Sequence, residues 1–440
     1  MLKLLTLYLR GYMQVFIRSF GCSANGSDSE VMAGCLAKAG FTLADCEATA
    51  DLIIYNTCAV KGPTENRIIQ ALKQQPKDKK LIIVGCLPKI SFERLSVEVH
   101  FDGVAGASIG EGIVDLVKRV LKGEKIVDLD SVDSKPALDL PRVRSNPIIS
   151  VLPINYGCLG SCSYCCVVFA RGRLRSYSID EVVERVKVDL SAGVREFWVT
   201  SQDTACYGRE IGKNLAELLF ALDDVEGDFK VRVGMMTPNM VTDMETELIE
   251  AFKKERIFKF LHLPVQSGDD QTLKRMRRFY TAKEFTNIVQ AFKSAIPRLT
   301  LATDFIVGFP EETDRAFENT LNLLKAVKPD VVNVSKFFAR PKTAAAQIRE
   351  GIVEPEEIKR RSAVTAALAK QYSFEQNKRW SGWAGEVLVD EKGKVPGSWV
   401  GRNFAYKPIA IKSSSNLLGK TLSVKVTKAY PTYLAATIIT

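Results

Sequence analysis

Residues 148–165 read IISVLPINYGCLGSCSYC. A β-branched apolar run, 148–155, predicts a buried strand. It ends in a glycine-bounded loop carrying Cys158, Cys162 and Cys165 in the spacing Cys-x-x-x-Cys-x-x-Cys. Three thiolates on one tight loop can hold three corners of a 4Fe–4S cube and leave the fourth iron open. Gly157 and Gly160 let the backbone fold close to such a cube, and Tyr164 stands where an aromatic ring would shield it. A zinc knuckle is the competing reading, but structural zinc sites are usually built from four ligands.

Outward from this loop the strand pattern repeats. EFWVTS (196–201), KVRVGMM (230–236), FKFLHLPV (258–265), LATDFIVG (301–308) and VVNVSKFF (331–338) alternate with helical stretches such as 180–191 and 214–222. A helix over 354–377 closes the segment. Six βα repeats across residues 148–376 predict a barrel, incomplete relative to eight. In such a barrel chemistry gathers at the loops after the strands, where the cysteine loop lies.

Toward the amino terminus, VFIRSF (15–20), DLIIYN (51–56) and LIIVG (81–85) predict strands. Helices are expected over 28–39, 64–74 and 111–121, so residues 13–129 read as a doubly wound parallel sheet. Cys22, Cys58 and Cys86 each follow one of the three strands. Strand ends of a parallel sheet share one edge, so the three thiols are expected to converge there. Ser27-Asp28-Ser29-Glu30 reads as a capping box and Pro63 as a first-turn residue. Helix amino termini at that edge favour an anionic, thiolate-rich group. Any one of these cysteines reads equally well as a small core residue; three at one structural position do not. Cys35 reads as core, and Cys166 adds no favourable spacing.

Residues 130–147 contain three prolines and scattered charge and read as a linker. From 377 to 440 the chain changes character. GEVLVDE (385–391), WVGRNFAYKPIAIK (399–412) and KTLSVKVTKAY (420–430) predict a small antiparallel barrel. From Ser381 onward eight Lys and Arg stand against three Asp and Glu, which suits nucleic acid. Arg402, Phe404, Tyr406 and Lys407 interleave charge with aromatic rings and are the candidate RNA contacts.

Composition narrows the classes. The chain of 440 residues carries a net charge of +10, consistent with a polyanionic partner. Two histidines argue against histidine-rich zinc sites and Ser-His-Asp catalysis. Ten cysteines point to a reducing compartment, the cytoplasm. The leucine-rich opening MLKLLTLYLR (1–10) reads as an extension ahead of the first domain rather than a signal peptide, and Met13 also fits a start. No apolar run approaches the ~18–20 residues that span a bilayer.

The loop GCLGSCSYC, with SFGCSANGSDSE, NTCAVKGPTENR, LDLPRVRSNP, ARGRLRSYSID, TSQDTACYGREIG, HLPVQSGDD, TDFIVGFPEET and FFARPKTAAA, resembles the radical S-adenosylmethionine (SAM) methylthiotransferases. The wording is closest to the archaeal and eukaryotic branch that modifies N6-threonylcarbamoyladenosine in tRNA. The resemblance covers nearly everything from Val15 onward. It implies two 4Fe–4S clusters, one on Cys22, Cys58 and Cys86, the other on Cys158, Cys162 and Cys165. One SAM methylates a sulfur at the first; a second is cleaved reductively at the other to a 5′-deoxyadenosyl radical. A methylthio group then replaces the hydrogen on carbon 2 of the adenine at position 37 of the anticodon loop. That aromatic C–H is unactivated, so the cofactors carry the chemistry and the protein orients them. The resemblance also implies an RNA-binding TRAM barrel at residues 377–440, and electron and sulfur donors that no motif identifies.

Ser201, Gln202 and Asp203 after the second barrel strand, Gln266 after the fourth, Asp304 in the fifth, and Tyr164 are candidate SAM contacts. Arg171 is another, toward SAM carboxylate, a cluster or a tRNA phosphate. Strand-end turns account for the polar residues equally well, and His262 reads as a packed, hydrogen-bonded side chain. Two rivals are branches acting on isopentenyladenosine in tRNA or on a ribosomal-protein aspartate. A rival of another class is a non-catalytic RNA-binding iron–sulfur protein.

Overall fold

A computed structural model describes residues 13–60, 62–129 and 135–439. The opening extension at 1–10 and positions 130–134 of the linker lie outside the described residues. By contacts the chain forms two compact units. The first runs to Ser145 and takes in Pro153–Tyr177 and Phe338–Ala346; the second holds Asn146–Leu152, Ser178–Phe337 and Gln347–Thr440. This is not the linear division at 129, 147 and 376. The cysteine loop after the first barrel strand belongs to the amino-terminal unit, not to the barrel.

The first unit is built on a parallel sheet of β1 (Gln14–Ser19), β2 (Thr42–Leu43), β3 (Leu52–Thr57), β4 (Lys80–Gly85), β5 (Gly103–Ala105) and β6 (Ile126–Asp128), in the order β2-β1-β3-β4-β5-β6. The two central strands read as unbroken apolar runs because both faces are covered. Leu52, Ile54, Ile82 and Val84 pack with Val31, Leu36, Ile113 and Val117 on one face. Ile53, Tyr55, Leu81 and Ile83 pack with Ile68, Ile69, Leu87 and Leu95 on the other. The strand alternation thus sorts the helices, Ser23–Lys38 and Gly112–Leu121 to one side, Gly62–Lys73 and Cys86–Glu98 to the other.

Two local expectations are corrected. The first helix starts at Ser23 with Cys22 as its N-cap, so Ser27-Asp28-Ser29-Glu30 is not a capping box. Those side chains serve tertiary contacts instead, Glu30 accepting from the Ser145 backbone and hydroxyl at 3.0 and 2.9 Å. Residues 141–145 of the linker therefore lie along this helix rather than acting as a spacer. A helix over Cys86–Glu98, which periodicity missed, begins at a candidate ligand.

In the second unit β7 (Ile149–Pro153), β10 (Glu196–Thr200) and β11 (Lys230–Val233) form one sheet; β12 (Phe260–His262), β13 (Thr300–Val307) and β14 (Val331–Lys336) form another. A parallel bridge between Val231 and Ile257 and a bond from Met236 N–H to the His262 carbonyl, 2.9 Å, join them. Six strands in chain order make the expected partial (βα)6 barrel. The intervening two-residue strands β8 (Asn155–Tyr156) and β9 (Arg175–Ser176) pair antiparallel in the first unit and close the cysteine loop. The helix Pro355–Lys378 follows the barrel. β15 (Ala384–Lys392), β16 (Ser398–Arg402), β17 (Pro408–Lys412), β18 (Thr421–Ala429) and β19 (Leu434–Ile438) then close a small barrel. Its core includes Val387, Val389, Ile409, Ile411, Val424 and Val426, every second residue of β15, β17 and β18.

Candidate functional site

All six ligand-candidate cysteines belong to the first unit. The sheet order runs outward from β1 in both directions, which makes the β1/β3 boundary the switch point where such sheets bind ligands. Cys22 follows β1 and Cys58 follows β3. Cys86 is the first residue of the helix after β4, and Cys22 caps the helix after β1. Both cysteines therefore sit at helix amino termini, whose dipoles suit an anionic cluster.

The three thiols lie in electrostatic reach of one another. Cys22 Sγ and Cys86 Sγ each lie 3.9 Å from one atom, Asn25 Oδ1. The Cys58 thiol feels both Cys22 and Arg171, and its burial pushes it up from the ordinary thiol range. Burial likewise pushes the Cys86 thiol up to about 11, with Arg171 pulling it down and Cys22 and Cys58 adding to the rise. Gly21 has φ 115°, and a Cβ there would stand 2.8 Å from Cys58 Cβ, so only glycine lets the two ligand loops approach.

The second triad is held by its own backbone. Gly160 N–H donates to Cys158 Sγ at 3.1 Å and Val167 N–H to Cys165 Sγ at 3.5 Å. A Cβ on Gly160 would lie 3.2 Å from Cys158 Sγ and 3.7 Å from Cys162 Sγ, filling space the sulfurs face. Gly157, φ 74°, lies under the Arg173 carbonyl, where a Cβ would clash at 1.9 Å. Burial, then Cys162, raise the Cys165 thiol. Tyr164 between the ligands is half-buried. Two sets of three neighbouring cysteines, the second with backbone donors aimed at sulfur, fit two iron–sulfur cubes. A coordinated thiol is deprotonated outright, so binding would overcome the raised thiol pKa values.

Cys166, which spacing left unassigned, lies in electrostatic reach of both triads. Its thiol faces the Ala59 carbonyl at 3.5 Å, is pushed up by burial, is pulled down by Arg340, and feels Cys86. Cys165 feels it from the other side.

Arg171 is corrected most sharply. It is 2% exposed, which removes it from any tRNA phosphate and from a solvated loop. Its Nη2 donates to Asp28 Oδ2 at 2.6 Å and to Asn25 Oδ1 at 2.8 Å. Tyr156 O–H donates to the other oxygen of Asp28 at 2.9 Å. The guanidinium feels Asp28, Cys86 and Cys22. Asn25, Asp28 and Tyr156 were missed because the chain positions that join them are 128 to 146 residues apart.

The remaining SAM candidates lie in the second unit. Asp203 is buried and occupied: Oδ1 accepts from Ala205 and Thr237 N–H, both 3.1 Å, and Oδ2 from the Cys206 thiol at 3.3 Å. Its carboxylate shapes the turn that follows β10. Ser201 Oγ accepts from Asp203 N–H at 3.0 Å. Gln202 Oε1 is buried without a hydrogen-bond partner, which keeps it open to a donor. Gln266, with φ 71°, bridges to Phe305 beside Asp304. Asp304 accepts from Asn333 Nδ2 at 2.6 Å and contacts His262 Nε2 at 3.0 Å, so β12, β13 and β14 join one polar triad.

Three of the four RNA candidates are also corrected. Lys407 is 2% exposed and its ammonium bonds Asp330 at 2.7 Å and Asn377 at 3.0 Å. Tyr406 is buried against Phe258 and Phe260 with its O–H on Glu196, 3.1 Å. Arg402 pairs with Asp390 and Glu391 at 2.7 and 2.9 Å. The segment after β16 turns inward, so its charges serve the interior. Phe404 alone is exposed, beside Trp380 and Trp383. The outward set is instead Lys412, Lys425, Lys428 and Tyr433, with Tyr430 stacked on Tyr433 at 4.5 Å and Lys428 over Tyr430. The period-2 pattern of β18, Val424 and Val426 inward, Lys425 outward, was the available signal.

The chain matches the radical SAM superfamily over residues 152–324, an uncharacterized protein family, UPF0004, over 14–106, and the TRAM domain over 384–439. A radical SAM methyltransferase from Kitasatospora setae, solved with cobalamin and a [4Fe-4S] cluster, shares the fold at TM-score 0.53 and 13% identity, over 89% of this chain and 80% of that one. A human threonylcarbamoyladenosine tRNA methylthiotransferase is 35% identical over 94% of this chain and 72% of its own length. A probable enzyme of that name from Pyrococcus horikoshii is 38% identical over 97% of this chain and all of its own. With both cysteine triads assembled and similarity running the length of the molecule, the chain belongs to the threonylcarbamoyladenosine tRNA methylthiotransferase family.

Proposed function

We propose that this protein is a cytoplasmic tRNA methylthiotransferase that converts N6-threonylcarbamoyladenosine at position 37 into its 2-methylthio derivative. The observation that carries the reading is the pair of three-thiol sites in one compact unit, one at a sheet switch point and one on a radical SAM loop. When bound, two 4Fe–4S clusters and SAM supply the radical and the sulfur chemistry that no side chain can. Cys158, Cys162 and Cys165 would hold the cluster at which SAM is cleaved; Cys22, Cys58 and Cys86 would hold the one that carries sulfur. Gln202, Gln266 and Asp304 remain the candidates for orienting SAM. The names of relatives in archaea and vertebrates support the threonylcarbamoyl substrate over isopentenyladenosine. The TRAM match and the exposed Lys412, Lys425, Lys428, Phe404 and Tyr433 support tRNA over a protein substrate. Among the described residues no helix is long and apolar enough to cross a membrane.

The test is reduction of the reconstituted protein with dithionite in the presence of SAM. Release of 5′-deoxyadenosine, abolished in Cys162→Ala, is the expected result. A bound cluster with no 5′-deoxyadenosine would instead favour a non-catalytic RNA-binding iron–sulfur protein.

A further inference from the structure

The buried ion pair Arg171–Asp28 has a feature that packing does not explain. Arg171 Nη2 is saturated by Asp28 and Asn25, while Nη1 is buried without a hydrogen-bond partner. A buried unmade donor on a cation is costly, and native structures rarely leave one. The same guanidinium acts electrostatically on the Cys86 thiol, pulling it down. Asn25 Oδ1, which it holds at 2.8 Å, is the atom 3.9 Å from both Cys22 Sγ and Cys86 Sγ.

We propose that Arg171 is a positioning residue of the Cys22/Cys58/Cys86 site, its free Nη1 donating to a sulfur held there and its charge, moderated by Asp28, setting that site's reduction potential. This rests on the reading that these cysteines carry a cluster. The physical basis is direct. Hydrogen bonds to sulfur and nearby charge are the main protein levers on an iron–sulfur potential. A cluster that accepts one electron gains negative charge, so a buried cation favours the reduced form. Asp28 opposes it, and Tyr156 O–H, bonded to Asp28 at 2.9 Å, softens that opposition. Arg fits the position better than Lys because its fork spans two oxygens and still presents a further N–H.

The test uses the full-length chain with Cys158→Ala, Cys162→Ala and Cys165→Ala, so that only the amino-terminal cluster titrates. One electron per cluster is supplied through mediator dyes and followed by electron paramagnetic resonance, without tRNA or turnover. R171Q is expected to move the midpoint to more negative potential by about a tenfold change in the one-electron equilibrium, about 59 mV. R171K keeps the charge and is expected to recover most of the shift. D28N leaves the cation unopposed and is expected to move the midpoint the other way. A structural bridge alone predicts no such opposition of sign. Midpoints in R171Q and D28N equal to that of the parent chain, with iron retained, would overturn the proposal. If R171Q does not hold iron, D28N decides: a positive shift supports it, an unchanged midpoint overturns it. Absence of iron from the parent chain, with Arg171 intact, would mark failure of the cluster reading itself rather than of this inference.

Discussion

Each triad brings sulfurs together that the raised pKa values of Cys58, Cys86 and Cys165 would keep protonated when empty. Iron must displace those protons, so each site depends on its full set of thiols. Cys86→Ala is expected to halve the iron, from about eight to about four per chain, as two cubes require. Colorimetric iron analysis checks it; eight irons in the variant would remove Cys86 from the ligand set. In the second unit, Lys407→Met removes one partner of a buried ion pair with Asp330 and is expected to cost about 3–5 kcal/mol in denaturant unfolding. Phe404→Ala, on the exposed face, is expected to leave stability nearly unchanged and weaken tRNA binding by about 1–3 kcal/mol, the worth of one stacked base. An equal loss of tRNA affinity in both variants at unchanged stability would restore Lys407 as an RNA contact.

At the scale of elements, the junction of β10, β15 and β16 carries two buried carboxylates. Glu196 is raised by burial and by Asp390, and Asp390 by its own burial against the pull of Arg402. Trp198 Nε1–H and Tyr406 O–H both donate to Glu196 Oε1. An acid whose folded pKa lies above its unfolded one binds more protons when folded, so stability falls as pH rises between the two. Stability is therefore expected to decline from about pH 4.5, where an ordinary Glu ionises, toward neutrality, and Glu196→Gln is expected to flatten that decline. Thermal unfolding from pH 5 to 8 measures it; identical slopes in both proteins would contradict the assignment. Elements were also the most legible level of the sequence. The apolar runs at 51–56 and 81–85 placed the central strands, and strand-end positions placed Cys22, Cys58 and Cys86 on one edge. What failed were readings that local pattern alone cannot settle. Asp28 resembled a cap but answers to Arg171, and Lys407 resembled a surface charge but answers to Asp330, partners 143 and 77 residues away.

For the whole molecule, the compact units cut across the linear order of segments. Pro153–Tyr177 and Phe338–Ala346 are contiguous with barrel strands in sequence but pack in the amino-terminal unit. Both cysteine triads are thereby built on one body, and Cys166 is in electrostatic reach of each. Shared placement gives a physical reason for radical generation and sulfur delivery to occur in one enzyme. The most direct test of that account is nucleoside mass spectrometry of tRNA from a strain lacking this protein, complemented with the intact chain or with Cys22→Ala. The account predicts that 2-methylthio-N6-threonylcarbamoyladenosine disappears in the deletion, with N6-threonylcarbamoyladenosine left in its place, and returns only with the intact chain. Unchanged 2-methylthio-N6-threonylcarbamoyladenosine in the deletion strain, or full recovery with Cys22→Ala, would contradict it.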